Sequence, residues 1–167
     1  MTTLSKKLKY SFLSLILTNL LFSTNVLAAT ATGDAAATIL EPLAVSQSQS
    51  LDFGSLVSSG SSTTATTSGT SGTAQRLGSS SYSDGSFNVT GSDNNSYNIT
   101  IDSNVTLNSG SDNMTASLEV DNTSSNTSTQ SLSSGSDTFN VRGTLTLAAD
   151  QAEGDYSGTY DVTVAYE

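Results

Sequence analysis

Cysteine, histidine and tryptophan are absent from this sequence, and Pro42 is its only proline. Without cysteine, no disulfide can staple the chain and no lipidated thiol can anchor it. Without histidine or cysteine, imidazole-based triads, thiol nucleophiles and the usual zinc or copper ligands are excluded. Positive charge is also scarce, with five Lys and Arg against fifteen Asp and Glu. Three of the five, Lys6, Lys7 and Lys9, stand near the start, so Arg76 and Arg142 alone face all fifteen acids in the remainder. Such a chain repels phosphate backbones, so no nucleic acid partner is expected. Its acidity reads as solubility and colloidal spacing. Serine is abundant, but no lysine follows Lys9 to activate one and Gly-x-Ser-x-Gly does not occur. Carboxylate pairs could serve a glycosidase, yet few aromatics are available to line a sugar cleft. The reading is therefore not an enzyme, with no cofactor and no catalytic residue.

The first residues carry an address. Lys6, Lys7 and Lys9 form a positive region, Leu13 to Phe22 a mostly apolar run, and Val26-Leu27-Ala28 a compact cleavage site. This is the pattern of a secretory signal peptide over residues 1–28, cut after Ala28. The apolar run is roughly ten residues, against the roughly twenty that span a bilayer. No second such run follows, so the mature chain is expected to lack a transmembrane anchor and to be exported through the periplasm to the cell surface or beyond.

Beyond the leader, apolar residues recur with period two rather than 3.6. Phe87 and Val89 alternate with Asn88 and Thr90, and Tyr97, Ile99 and Ile101 with Asn98, Thr100 and Asp102. Val105 and Leu107, Leu118 and Val120, Phe139 and Val141, and Leu145 and Leu147 continue the pattern. Such segments have one apolar and one polar face, the mark of half-buried antiparallel strands. Turn signals separate them: Gly-Ser-Asp begins at Gly91, Gly110 and Gly135, and Asp84-Gly85 is a further pair. Ser58 to Ser71 and Thr123 to Ser136 are nearly pure Ser, Thr and Gly, and read as long loops or polar edge strands. The predicted core comprises Phe53, Phe87, Val89, Tyr97, Ile99, Leu118, Phe139, Val141, Leu145, Leu147, Val162 and Val164.

Two further signals have ordinary explanations. Asp93-Asn94-Asn95 and Asp112-Asn113 offer hard oxygen ligands for calcium, but EF-hand spacing is missing, and turn residues that bond their own backbone are the favoured reading; no metal site is assigned. Sequons such as Asn88-Val89-Thr90 arise by chance in so Asn-, Ser- and Thr-rich a chain.

The tail is the most specific stretch. Tyr160, Val162, Val164 and Tyr166 alternate to the end, Tyr166 is penultimate, and Gly154 stands fourteen positions from the C-terminus. This resembles the C-terminal signature of chaperone–usher pilins. The resemblance implies an immunoglobulin-like sandwich that lacks a strand, lent first by a periplasmic chaperone and then, at the usher, by the next subunit. The physical basis is strand addition at an open edge. Three other stretches, Ala37-Thr38-Ile39-Leu40-Glu41-Pro42-Leu43, Leu51-Asp52-Phe53-Gly54-Ser55-Leu56 and Gly143-Thr144-Leu145-Thr146-Leu147, join the segment from Gly154 to Tyr160 in resembling a bacterial family, domain of unknown function 4402. That family is similar to spore-coat-U-type pilins. The pilin disulfide is absent, and the N-terminal extension is short.

The expected architecture is an all-β, immunoglobulin-like (pilin-like) antiparallel β-sandwich with Greek-key connections over residues 37–167, preceded by a tail over 29–36. Within the tail, Ala29, Ala31, Gly33, Ala35 and Ala37 share one phase and read as either a donor strand or an ordinary terminus. Pro42 is expected where the first strand changes sheets. The closing strand, 159–167, is expected to wall the acceptor groove, with Tyr160, Val162, Val164 and Tyr166 divided between its faces and Gly154 at the turn into it. The function read from this is a fimbrial subunit that assembles with copies of itself. The alternative is a free-standing secreted or matrix protein, an adhesin that binds a glycan or surface through its loops.

Overall fold

The structure, a computed structural model, describes residues 28–68, 72–121 and 123–167. The chain divides into two units, Met1–Ala37 and Thr38–Glu167. The leader expected over 1–28 lies outside the described residues except for Ala28. Residues 28–37 are exposed and carry no strand.

The second unit is all β and antiparallel, a sandwich of two main sheets. Its strands are β1 (Ala44–Gln49), β2 (Leu56–Val57), β3 (Thr63–Thr66), β4 (Gln75–Arg76), β5 (Gly85–Thr90), β6 (Ser96–Ile101), β7 (Asn104–Ser109), β8 (Asp112–Val120), β9 (Thr127–Ser131), β10 (Ser136–Leu147) and β11 (Val162–Tyr166). The larger sheet runs β1-β5-β10-β8-β7, the smaller β11-β6-β9, and β2 and β4 form a separate ribbon. β10 is long enough to serve two partners along one edge. Ser136–Val141 pairs with β5, and Thr144–Leu147 pairs with β3.

Period two does what it should in a sandwich. Along β10, Phe139, Val141, Leu145 and Leu147 are buried, while Thr138, Thr144 and Thr146 face solvent. Phe139 stands directly opposite Phe87 in the ladder, and their rings stack with centroids 5.5 Å apart. Tyr97 is fully buried, and its hydroxyl donates to Asp137 Oδ2 at 2.8 Å. Two of the three Gly-Ser-Asp turns, those at Gly91 and Gly135, are hydrogen-bonded to each other. Gly91 N–H donates to the Gly135 carbonyl at 3.0 Å, and the Asp93 carboxylate accepts from Asn94 N–H at 2.9 Å and from Gly135 N–H at 3.3 Å. Asp93 is thus occupied by its own turn and the neighbouring one, as the turn reading requires.

Ten of the twelve predicted core residues are buried; Val162 and Val164 are half-buried, because β11 is an edge strand. Each polar segment supplies an edge strand, one of its two expected forms. β3 enters the larger sheet through Ala65, which is 3% exposed, and β9 is an edge of the smaller sheet. Pro42 departs from expectation: it precedes β1, and no strand before it among the described residues is there to change sheets. β1 itself is exposed at all six positions and is held by its ladder to β5, with a bulge between Gln47 and Gln49.

A polar knot fastens the end of β3 to β10. The Thr67 hydroxyl donates to Asp84 Oδ1 at 2.5 Å and accepts from Gly143 N–H at 3.0 Å, and Arg142 Nε reaches Asp84 Oδ2 at 3.3 Å. Thr67 is 3% exposed. Thr67→Val keeps the shape but leaves the Gly143 N–H without its side-chain acceptor, so a loss of about 1–3 kcal/mol is expected. A urea midpoint measurement checks it, and an unchanged midpoint would show that the knot contributes nothing.

Candidate functional site

An edge strand offers a row of unpaired backbone groups, so the two sheet ends nearest each other define where another strand could add. β11 pairs with β6 from Val162↔Ile101 to Tyr166↔Tyr97. The bonds that flank this ladder fix its phase. Asp102 N–H donates to the Asp161 carbonyl at 3.1 Å, and Glu167 N–H to the Ser96 carbonyl at 3.1 Å. Odd-numbered residues therefore bond toward β6, and the N–H and C=O groups of Val162, Val164 and Tyr166 point to the other edge. No strand pairs with that edge among the described residues.

The side chains of β11 obey the same period. Spacing by two puts Tyr160, Val162, Val164 and Tyr166 on one face, packed against the core, while Thr163 and Ala165 are exposed. The expected division of these four between two faces is thereby corrected, since only odd spacings change face. Tyr160 meets Phe87 edge-on at 6.1 Å. Its hydroxyl is buried without a hydrogen-bond partner among the described residues, and burial pushes its pKa up to about 12.

Tyr166 acts as a latch. Its hydroxyl accepts from Ser92 N–H at 2.7 Å and donates to the Glu41 carbonyl at 2.7 Å. Glu41 N–H in turn donates to Ser92 Oγ at 2.6 Å. These bonds tie the lead-in of β1 to the end of β11 and bring the two edge strands close there. Toward the opposite end, from Gln47 and Tyr160 onward, the two chain segments part around a cleft of about 950 Å³. Its floor includes Phe87, Val105, Leu107, Met114, Leu145 and Leu147, and its walls are Leu51–Leu56 and Gln151–Tyr160. All six floor residues stand on strands of the larger sheet and most belong to the core, so the cleft opens onto the inward face of that sheet. Asp52, Glu153 and Asp155 put carboxylates around it.

Gly154 lines this cleft but does not sit at the turn into β11. The chain after it first crosses the edge of β7, where Asn108 N–H donates to the Ser157 carbonyl at 2.8 Å and Ser157 N–H returns to Asn108 at 3.1 Å. A Cβ on Gly154 would lie 2.5 Å from Ser109 Oγ, a side chain that can turn away, but the Gly154 φ of +157° is one that L side chains rarely adopt. Gly158 is closed for a different reason, because its Cβ would press on the Thr106 carbonyl oxygen, which is fixed in the sheet.

Of the expected interaction residues, then, Gly154 and Tyr160 line the cleft, while Val162, Val164 and Tyr166 lie along the adjoining strand. Ala29, Ala31, Gly33, Ala35 and Ala37 fall in the exposed stretch of the first unit. Leu51, Leu107 and Met114 were not singled out by sequence as cleft residues. Their apolarity is visible there, but the opening that leaves them half-covered is a property of the fold. No group of three or more His, Cys, Asp or Glu side chains that could hold a metal occurs among the described residues. No helix among them is long and apolar enough to cross a membrane.

No curated protein matches the chain. A family model does, over residues 43–166, a span that takes in every strand of both sheets and all of the cleft. By that match the chain belongs to the family described as Domain of unknown function (DUF4402).

Proposed function

We propose that this protein is an exported, non-enzymatic surface subunit of fimbrial type, with a pilin-like, immunoglobulin-like domain that polymerises by strand addition. In this reading residues 29–37 of one copy lie along β11 of the next and over its cleft. A periplasmic chaperone and an usher are the partners that would hold and deliver the open subunit. One observation carries the reading: the unpaired edge of β11 adjoins an opening at which Leu51, Leu107 and Met114, packed against the core, stay half-buried. An added strand would satisfy the backbone groups of Val162 and Val164 and cover that floor together.

Deleting Ala29 to Ala36 is therefore expected to abolish filaments while the remaining domain keeps its β spectrum. Electron microscopy of expressing cells, paired with circular dichroism of the purified variant, reads both halves. Filaments that survive the deletion would contradict the mechanism.

A second reading, a free-standing adhesin, draws on the outward face of the larger sheet. There Thr64, Thr146, Thr115 and Thr106 stand side by side across four strands, opposite the buried Ala65, Leu145, Ala116 and Val105. A hydroxyl ladder of this kind could bond a glycan chain. Mature protein that stays monomeric and binds a glycan array would favour this reading over polymerisation.

A further inference from the structure

The alanines of the tail raise a problem of volume. A cleft of about 950 Å³ floored by Phe, Leu, Met and Val side chains is poorly filled by methyl groups, and dispersion and burial both fall with every missing methylene. The structure points to a bulkier residue. Ile39 is 94% exposed, more than any other large apolar side chain described. A single exposed isoleucine is ordinary by itself. Its phase is what gives it meaning. In an extended chain Ala31, Gly33, Ala35, Ala37 and Ile39 project from one face. Asp34, the one carboxylate between Ala29 and Leu40, projects from the other. From Ala31 to Ile39 that face is thus uncharged; the first carboxylate in its phase, Glu41, belongs to the stretch held on its own domain, so only the residues up to Ile39 need approach Asp52, Glu153 and Asp155 around the cleft. Nor can Ile39 stray far from its own domain, because Glu41, two residues on, is held by Ser92 and Tyr166.

We propose that Ile39 of one copy is the anchor that enters the cleft of a second copy, and that the alanine stretch beyond it contributes chiefly backbone bonds. The proposal rests on the strand-addition reading and adds to it the residue that carries side-chain affinity. It also implies close-set domains, since two residues span only about 7 Å.

The chain has no native cysteine, which makes cross-linking clean. Mature I39C is mixed under mild oxidation with mature L107C, or with Q151C from the cleft wall should L107C fail to fold. T129C, on the exposed side of β9, is the control. The disulfide-linked pair with the cleft cysteine is expected to exceed that with T129C by about tenfold. Ile39→Asn is expected to weaken subunit association about tenfold or more, and Ile39→Leu to preserve it. Cross-linking no stronger to the cleft than to T129C, or unimpaired association of Ile39→Asn, would overturn the anchor. If the deletion of Ala29 to Ala36 still abolishes filaments in that case, strand addition stands without Ile39; if filaments survive both changes, strand addition falls as well.

Discussion

Phe139→Ala is expected to lower the unfolding free energy by about 3–5 kcal/mol, the range for emptying a buried phenylalanine site. The setting favours the upper part of that range. Phe139 is 0% exposed and is laddered to Phe87 on β5, and the pairing of β10 with β8 begins two residues on at Val141, so the backbone around it has little freedom to collapse. Its ring stacks on Phe87, and Phe87 in turn supports the edge of Tyr160. The vacancy would therefore open beneath the cleft, and Phe87 would lose one of its two ring contacts. Against a total of roughly 5–15 kcal/mol for a domain, such a loss removes a third or more. Denaturant titration gives the value directly. A loss below about 1 kcal/mol would mean that the two sheets close over the site, and that the core is less rigidly framed than its ladders imply.

Raising the pH above about 10 is expected to unfold the protein steeply, because two tyrosines hold their protons in the folded state. Burial pushes the Tyr97 hydroxyl well above the ordinary tyrosine range, helped by its hydrogen bond to Asp137 and by the charges of Asp137 and Asp121. Burial alone raises Tyr160 to about 12. An unfolded tyrosine ionises near 10, so below that pH neither group makes stability pH-dependent. Above it the unfolded chain sheds two protons that the folded chain retains, and stability falls as the pH climbs toward the folded values. Each proton contributes a slope of about 1.4 kcal/mol per pH unit. Tyr97→Phe should remove one of the two slopes at the cost of a hydrogen bond, and Tyr160→Phe the other at almost no cost, since its hydroxyl has no partner among the described residues. Stability that stays flat from pH 10 to 12 in the parent protein would contradict this burial.

Strand identity was legible wherever large apolar residues alternated, as in Phe87–Val89, Tyr97–Ile101 and Phe139–Leu147, because period two survives any sheet arrangement. It was ambiguous where the inward residues were small. β3 hides a single Ala65 among threonines, and β9 buries no side chain fully, so each reads equally as a loop or an edge strand. β1 had no apolar alternation to find, as its pairing to β5 is made by the backbone ladder and by the Ser48 hydroxyl, which donates to the Ser86 carbonyl at 3.1 Å. The candidate site was half legible. The apolar phase of Tyr160, Val162, Val164 and Tyr166 marked the strand, but its edge position depends on partners far away in sequence. The cleft depends on the detour of residues 155–161 past β7, forced close by Gly158 and Ser157. The Tyr166 latch joins residues 125 positions apart and has no local signature.

Strand addition at β11 is tested most directly by amide hydrogen exchange on the mature subunit before and after assembly. The account predicts that the Val162 and Val164 amides, which point away from β6, exchange rapidly in the isolated subunit and become strongly protected in the polymer. The Thr163 and Ala165 amides, already bonded toward β6, should change little. Equal and unchanged exchange at Val162 and Val164 in polymer and subunit would contradict it, whatever filaments the protein forms.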